Sequence, residues 1–290
     1  MSDYHISVLL EQTLAALQVE PGKKYIDATL GGGGHTSEII QRGGIVLGLD
    51  VDSEALGFVK NKLNGNKELF LAKGNFRDID RLAQENGFEK VAGILFDLGV
   101  SSHQFDAGER GFSFRYDAPL DMRMDRSLGV TAADLVNGLN KGELIELFEK
   151  FGEEYFGKKI SQRILEARAM KLITTTGELA EIIVRAYPRG YKKIHPATKV
   201  FQALRIAVND ELNSLKDALP KAVNLLESGG RLVIISFHSL EDRIVKEYFK
   251  SVEQEKMGKI LTGKPIEASE EETESNKRAR SAKLRVLEKI

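Results

Sequence analysis

Asp27 lies within the short apolar run Lys24–Leu30, and Asp50 and Asp97 close two later ones, Ile45–Asp50 and Gly93–Leu98. The first run turns into four consecutive glycines, Gly31 to Gly34, followed by His35 and a helical pattern. Glycines let a backbone turn sharply and let a ligand lie against it. A glycine turn alone fits a purely structural role as well. The acids around it add chemistry. Asp50 closes the next apolar run 17 positions after Gly33, where a carboxylate can accept both ribose hydroxyls of an adenosine ligand. Asp97 closes a later run on the same expected edge.

The spacing excludes two adenosine ligands. A nicotinamide fingerprint needs Gly-x-Gly-x-x-Gly/Ala, but the last position falls on Thr36 counted from Gly31 and on Ser37 counted from Gly32. A Gly-Lys-Ser/Thr phosphate loop is absent. Asp27, Gly31 and Gly33 instead form Asp-x-x-x-Gly-x-Gly, similar to the first motif of S-adenosylmethionine (AdoMet) methyltransferases. A second group follows. Arg110-Gly111-Phe112-Ser113-Phe114-Arg115-Tyr116 offers rings that can stack on unpaired bases and arginines that can meet phosphate. Phe112 and Phe114 fit equally as plugs holding a loop to the body of the fold. From Arg185 to Arg205 there are six basic residues (Arg185, Arg189, Lys192, Lys193, Lys199, Arg205) and no acids. Such a run fits phosphate contact or a solvated face. Further on, Ile235-Ser236-Phe237 leads to His238-Ser239-Leu240-Glu241-Asp242; capping by Ser239, with Glu241 and Asp242 in the first turn, accounts for the acids.

These residues need elements to hold them. Apolar runs at Lys24–Leu30, Ile45–Asp50, Leu69–Lys73 and Gly93–Leu98 alternate with helical patterns at 35–42, 53–64 and 78–86, after an amphipathic 7–18. That alternation predicts a mostly parallel sheet with ligands at the strand C-termini. The alternation stops after Leu98. Residues 106–200 read as an all-helical insertion, with capping boxes at Thr131/Asp134 and Thr175/Glu178. A helix over 209–227 ended by Ser228-Gly229-Gly230, a strand over Arg231–Phe237, a helix over Leu240–Phe249 and a last strand over Lys283–Glu288 complete the chain. The expected domains are 1–105 with 201–290, and 106–200.

The 290 residues carry 42 basic and 43 acidic side chains, a net charge of −1, which excludes a wholly cationic nucleic-acid binder but not a basic patch. Cysteine is absent, which removes disulfides, thiolate metal sites and cysteine nucleophiles. The five histidines show no helical ligand spacing, so no metal is expected. No leader pattern and no membrane-length apolar stretch is seen, and the expected location is the cytoplasm.

Taken together, the blocks resemble one family. They are His5-x-x-Val8-Leu9-Leu10; Asp27-x-Thr29-Leu30-Gly31-x-Gly33-Gly34-His35; Asp97-Leu98-Gly99-Val100-Ser101-Ser102; Arg110-Gly111-Phe112-Ser113-Phe114; Pro119-Leu120-Asp121-Met122-Arg123-Met124-Asp125; His195-Pro196-Ala197-Thr198; Phe201-Gln202-Ala203-Leu204-Arg205-Ile206; and Ser236-Phe237-His238-Ser239-Leu240-Glu241-Asp242-Arg243. In order along the chain, they resemble the bacterial 16S rRNA cytosine-N4 methyltransferases, the MraW or RsmH family. The resemblance implies a class I AdoMet-methyltransferase fold, Rossmann-like, with an inserted helical domain for RNA recognition. It implies AdoMet as cofactor, held by Gly33, Gly34, His35, Asp50, Phe76, Asp97 and Gln104. It implies a cytidine in the decoding region of 16S rRNA as substrate, within the small ribosomal subunit, with no membrane partner.

With no cysteine, a covalent route through a ring carbon of cytosine is closed, whereas the exocyclic N4 can attack a methyl group directly. Acceptors on its N–H groups would localise its lone pair, and Asp97, Ser101 and His238 are the expected ones. Arg110, Phe112, Phe114, Lys192 and Lys193 are the expected RNA contacts. The alternatives are a non-catalytic AdoMet-binding ribosome assembly factor and a methyltransferase acting on DNA cytosine.

Overall fold

The computed structural model describes residues 7–100, 108–188, 190 and 194–290. The chain divides into two compact units, Met1–Ser101 with Leu212–Ile290, and Ser102–Glu211. The second unit therefore takes in all of the helix Ala197–Asn209, whereas the sequence reading places its boundary at 200.

The first unit is built on strands β1 (Lys24–Asp27), β2 (Ile45–Asp50), β3 (Leu69–Lys73), β4 (Val91–Asp97), β5 (Leu226–Ser236), β6 (Gly258–Ile260) and β7 (Lys283–Lys289). They form one sheet in the order β3-β2-β1-β4-β5-β7-β6. β1 to β5 pair in parallel; β7 runs antiparallel to both β5 and β6. Helix α1 (Leu10–Leu17) precedes β1, and α2 (Gly34–Gln41), α3 (Ser53–Lys62) and α4 (Ile79–Glu85) supply the early crossovers.

Both faces of this sheet are buried, which is why its strands read as unbroken apolar runs rather than alternating ones. Ile26, Leu47, Leu49, Ile94, Phe96 and Ile234 face one core, shared with Leu82, Leu219 and Phe249. Their chain neighbours Tyr25, Val46, Leu95, Val233 and Ile235 face a second core with Leu14, Leu17 and Ile39.

Two expectations change, and one strand is new. β1 ends at Asp27 rather than Leu30, although Ala28 and Leu30 still donate to the carbonyls of Leu95 in β4 and Leu49 in β2. Ser228-Gly229-Gly230 does not terminate a helix. The helix Glu211–Leu225 stops earlier, and β5 starts at Leu226 and carries the glycines as a register shift against β4, with Gly229 at φ +79°. The short edge strand β6 had no alternating signal to reveal it.

The second unit is helical. Its described helices are α5 (Ala132–Gly138), α6 (Lys141–Gly152), α7 (Gly157–Met170), α8 (Thr176–Ala186) and α9 (Ala197–Asn209). Both expected capping boxes form, Thr131 with Asp134 and Thr175 with Glu178, and Asn140 with Glu143 adds a third. α6 packs on α7 and α9, and α7 on α8. Leu144, Phe148, Ile160, Ile164, Leu179, Ile183, Val200 and Leu204 are fully buried.

The sheet unit resumes with α10 (Glu211–Leu225), then α11 (Ser239–Gln254) after β5 and α12 (Glu270–Ser275) before β7. Among the described residues no helix is long and apolar enough to cross a membrane.

Candidate active site

The site in the sheet unit grows from the C-terminal ends of β1, β2 and β4. Asp27 is buried, and its carboxylate accepts from the Thr36 hydroxyl at 2.7 Å and from the Thr29 backbone at 3.2 Å. Burial pushes its pKa up despite these donors. The Thr29 hydroxyl accepts in turn from the Asp97 backbone N–H at 2.6 Å. Asp27 thus ties the start of α2 to the end of β1, and Thr29 ties that end to β4. Thr36 meets Asp27 across the glycine turn, nine residues away, and only the Thr29 hydroxyl finds its partner far off in the chain.

The glycine turn lies over Asp50. One Asp50 oxygen accepts from the Gly31 N–H at 2.9 Å and the other from the Asp52 N–H at 2.8 Å. This partly buried carboxyl is pushed up to about 6, the cost of burial outweighing the two amide donors. Gly33 caps α2 at φ +67°, and a Cβ there would stand 2.8 Å from Val59 Cγ2. A Cβ on Gly34 would run into the Ser7 hydroxyl. Gly33 is thus required by its backbone conformation and by Val59, and the two glycines together keep the start of α2 free of bulky side chains. Lys62 reaches the Gly32 carbonyl at 3.3 Å and steadies the turn from outside.

Gly33→Ala is expected to cost about 1–2 kcal/mol in backbone strain alone, before the overlap with Val59 is relieved. Its melting temperature should fall, and AdoMet should restore less of it than in wild type. A thermal melt with and without AdoMet checks both, and an unchanged melting temperature would contradict the packing account.

His35 and Asp97 face each other beside this turn, His35 Nε2 lying 3.6 Å from Asp97 Oδ2. Both His35 ring nitrogens and Asp97 Oδ1 are buried without a hydrogen-bond partner. Buried polar groups are ordinarily satisfied, so this trio marks a place for a ligand's donors and acceptors. Phe76, past β3, packs edge-on against Phe96 with centroids 5.5 Å apart and forms a flat wall. An acid able to take hydroxyls, an aromatic wall and unpaired polar atoms over a glycine turn suit an adenosine bearing a polar tail. They fit AdoMet, and no phosphate-binding lysine loop is needed. Gln104 and Ser101 lie outside the described residues.

His238, at the end of β5, is itself the helix cap, a correction to the expected capping by Ser239. Its Nδ1 accepts from the Glu241 N–H at 3.4 Å, while Glu241 accepts from the backbone of Phe237 at 2.9 Å and of His238 at 3.3 Å. His238 Nε2 stands 3.2 Å from the buried Glu241 carboxylate. Asp242 is held by Arg285 at 2.6 Å. The cap occupies one ring nitrogen of His238 and leaves only Nε2 for other chemistry.

In the helical unit the expected RNA contacts separate. Arg110 is 5% exposed and donates to the carbonyls of Arg123 and Met124 at 2.9 and 2.8 Å. Phe112 is also buried. These two brace the loop internally rather than offering themselves to a partner, which corrects the reading of both as contacts. Phe114 differs. It is half-buried, stacked on His195 at 4.4 Å and set edge-on to Phe201 at 5.1 Å. Phe114 and His195 line a cleft of about 430 Å³ with Ala180, Glu181, Val184 and Arg185. Lys192 and Lys193 lie outside the described residues.

A parallel sheet with one antiparallel strand inserted in the order above, and an acid-supported glycine turn at its strand ends, define a class I methyltransferase. A crystal structure of a candidate rRNA methylase from Clostridium thermocellum shares this fold, with a TM-score of 0.50, 16% identity, and cover of 99% of this chain and 100% of that one. The chain belongs to the MraW methylase family, which it matches over residues 2–290. Similar proteins include the ribosomal RNA small subunit methyltransferases H of Trichlorobacter lovleyi, 44% identical over 308 residues, and of Clostridium botulinum strain Loch Maree, 46% identical over 305. The alignments cover 99% of this chain with 98% and 99% of those relatives. The protein of that name from Carboxydothermus hydrogenoformans is 46% identical over 304 residues.

Proposed function

We propose that this methyltransferase uses AdoMet to methylate the exocyclic N4 of a cytidine in the decoding region of 16S rRNA, and that it meets this substrate within the small ribosomal subunit. The observation that carries the reading is the Asp97–His35 pair, with its unpartnered buried atoms, beside the Asp50-supported glycine turn. Family membership and the names of the relatives support the substrate.

AdoMet, when bound, supplies an electrophilic methyl group on a sulfonium. Everything else falls to the chain's own residues. Asp50 accepts the ribose hydroxyls, Phe76 walls the adenine, and the turn at Gly33 and Gly34 leaves room for the ligand against the backbone. Asp97 has one oxygen turned to His35 and one free, so it serves a single donor, and we assign that donor to the cofactor's polar end. The residue left to accept an N4 proton is then Ser101, because the Glu241 N–H takes the Nδ1 lone pair of His238 and the neutral ring carries its hydrogen on Nε2. With no cysteine in the chain, attack runs directly from N4, and most of the acceleration comes from orientation. Phe114, with His195 beneath it, offers a ring for a splayed base.

The test is transfer of tritiated methyl to 30S subunits, to free 16S rRNA and to plasmid DNA, all from cells lacking this modification, with digestion to nucleosides. Label in N4-methylcytidine from the subunit is the expected result. Label in DNA, or none despite AdoMet binding, would overturn the reading in favour of a DNA enzyme or a non-catalytic assembly factor.

A further inference from the structure

The helical unit presents an aromatic ring that its own packing does not need. Tyr155 is 92% exposed, the highest value among the described large apolar and aromatic side chains of this unit. The loop that carries it is held rigidly. Glu153 ends α6 in the left-handed region at φ +48°, redirecting the chain. Glu154 is buried, and its carboxylate accepts from the Phe156 N–H at 2.7 Å and from the Tyr187 hydroxyl at 2.5 Å. Phe156 packs on Tyr187 with centroids 4.5 Å apart. Three contacts thus fasten the residues on either side of Tyr155 while its ring stands in solvent.

A cation is fastened beside the ring. Lys199 Nζ lies 5.0 Å from the Tyr155 centroid and donates to the Glu153 carbonyl at 2.6 Å. The stem of that lysine is locked as well. α6 and α9 approach so closely at Gly152 that a Cβ there would stand 2.7 Å from the Lys199 carbonyl oxygen, and Gln202 donates to the Phe151 carbonyl at 3.1 Å. Lys159 sits 5.8 Å from the Phe156 ring in the first turn of α7. Of the two acids in the loop, Glu154 is buried and hydrogen-bonded, and only Glu153 is exposed.

A rigid exposed ring beside fixed cations is how proteins hold unpaired nucleotides: every base has a face to stack, and phosphates follow the positive charge. A protein partner or a membrane would call for a wider apolar surface than one ring with a lysine beside it. We infer that Tyr155, with Lys199 and Lys159, is a second RNA contact, on which a single-stranded nucleotide of the substrate stacks while the lysines meet its phosphates. This rests on the rRNA reading above.

The test is fluorescence anisotropy with a fluorescein-labelled single-stranded RNA 12-mer and with the same sequence as a duplex, run beside the methyl-transfer assay. Tyr155→Ala is expected to weaken single-strand binding at least about fivefold, the low end for loss of one stacked base. Tyr155→Phe keeps the ring and should bind as wild type. Lys199→Gln should flatten the salt dependence of binding by roughly one counterion. AdoMet affinity should not move in any of the three, and melting temperature should not move in the two Tyr155 variants. Equal single-strand binding by wild type and Tyr155→Ala would overturn the inference. So would a loss confined to whole subunits, because the ring would then dock on ribosomal protein. If wild type binds RNA through Tyr155 but methylates none, the proposed function fails and this contact stands. If wild type methylates and Tyr155→Ala binds unchanged, only this contact fails.

Discussion

Asp97→Ala is expected to weaken AdoMet binding by about 10- to 100-fold while leaving the ligand-free protein at least as stable as wild type. The two effects have one cause. Asp97 Oδ1 is buried with no partner and Oδ2 has only His35, at 3.6 Å. A buried acceptor without a donor costs stability until a ligand supplies one, and a hydrogen bond to a charged group is then worth about 1.5–3 kcal/mol. Truncation removes both the cost in the free protein and the gain in the complex. The backbone of residue 97 stays in place, since its N–H is held by Thr29 rather than by its own side chain. Asp97→Asn keeps an acceptor without the charge and should fall between. Calorimetric titration with AdoMet and a thermal melt of the ligand-free variants measure the two arms. A structural aspartate would give the opposite pattern, with a lowered melting temperature and affinity retained; that outcome would remove Asp97 from the cofactor site.

The sheet and its acids were legible because their signals are local. A strand buried on both faces writes an apolar run, and Asp50 and Asp97 each close one. The capping boxes of α5 and α8 were legible for the same reason, three residues apart in the chain. What stayed hidden depends on partners distant in sequence. Nothing near Arg110 says that its guanidinium turns inward to the carbonyls of Arg123 and Met124; an arginine between glycine and aromatics reads as exposed until those carbonyls are seen. Thr29 and Thr36 are ordinary residues until the fold brings Asp97 and Asp27 to them. His238 had a role in view, but a histidine that caps a helix through Nδ1 has no spacing of its own to separate it from a catalytic one. Tyr155 was missed because its significance lies in the rigidity of Glu154, Tyr187 and Lys199 around it, contributed by three separate helical segments.

AdoMet affinity is expected to rise about tenfold between pH 5 and pH 7.5, and the stability of the ligand-free protein to move the other way. Asp50 is the group responsible. Its pKa is raised from 3.8 to about 6, with burial as the largest cause. In the unfolded chain the carboxyl loses its proton near 3.8, but in the folded protein only near 6. Across that window the folded state binds more protons than the unfolded state, so stability falls as pH rises and levels off above about 6. Ligand binding has the reverse sign. Ribose hydroxyls donate to the ionised carboxylate and favour it, which lowers its pKa in the complex, so binding releases a proton wherever free Asp50 still holds one. Affinity then climbs with pH up to about 6 and flattens above it. Titrations at pH 5.5 in buffers of different ionisation enthalpy should report the released proton directly, and at pH 7.5 little of it should remain. Asp50→Asn fixes the site in a neutral form. Its affinity should sit at or below the wild-type value at pH 5, without the Asp50 slope. A slope that survives in Asp50→Asn would place the titrating group elsewhere and release Asp50 from the ribose.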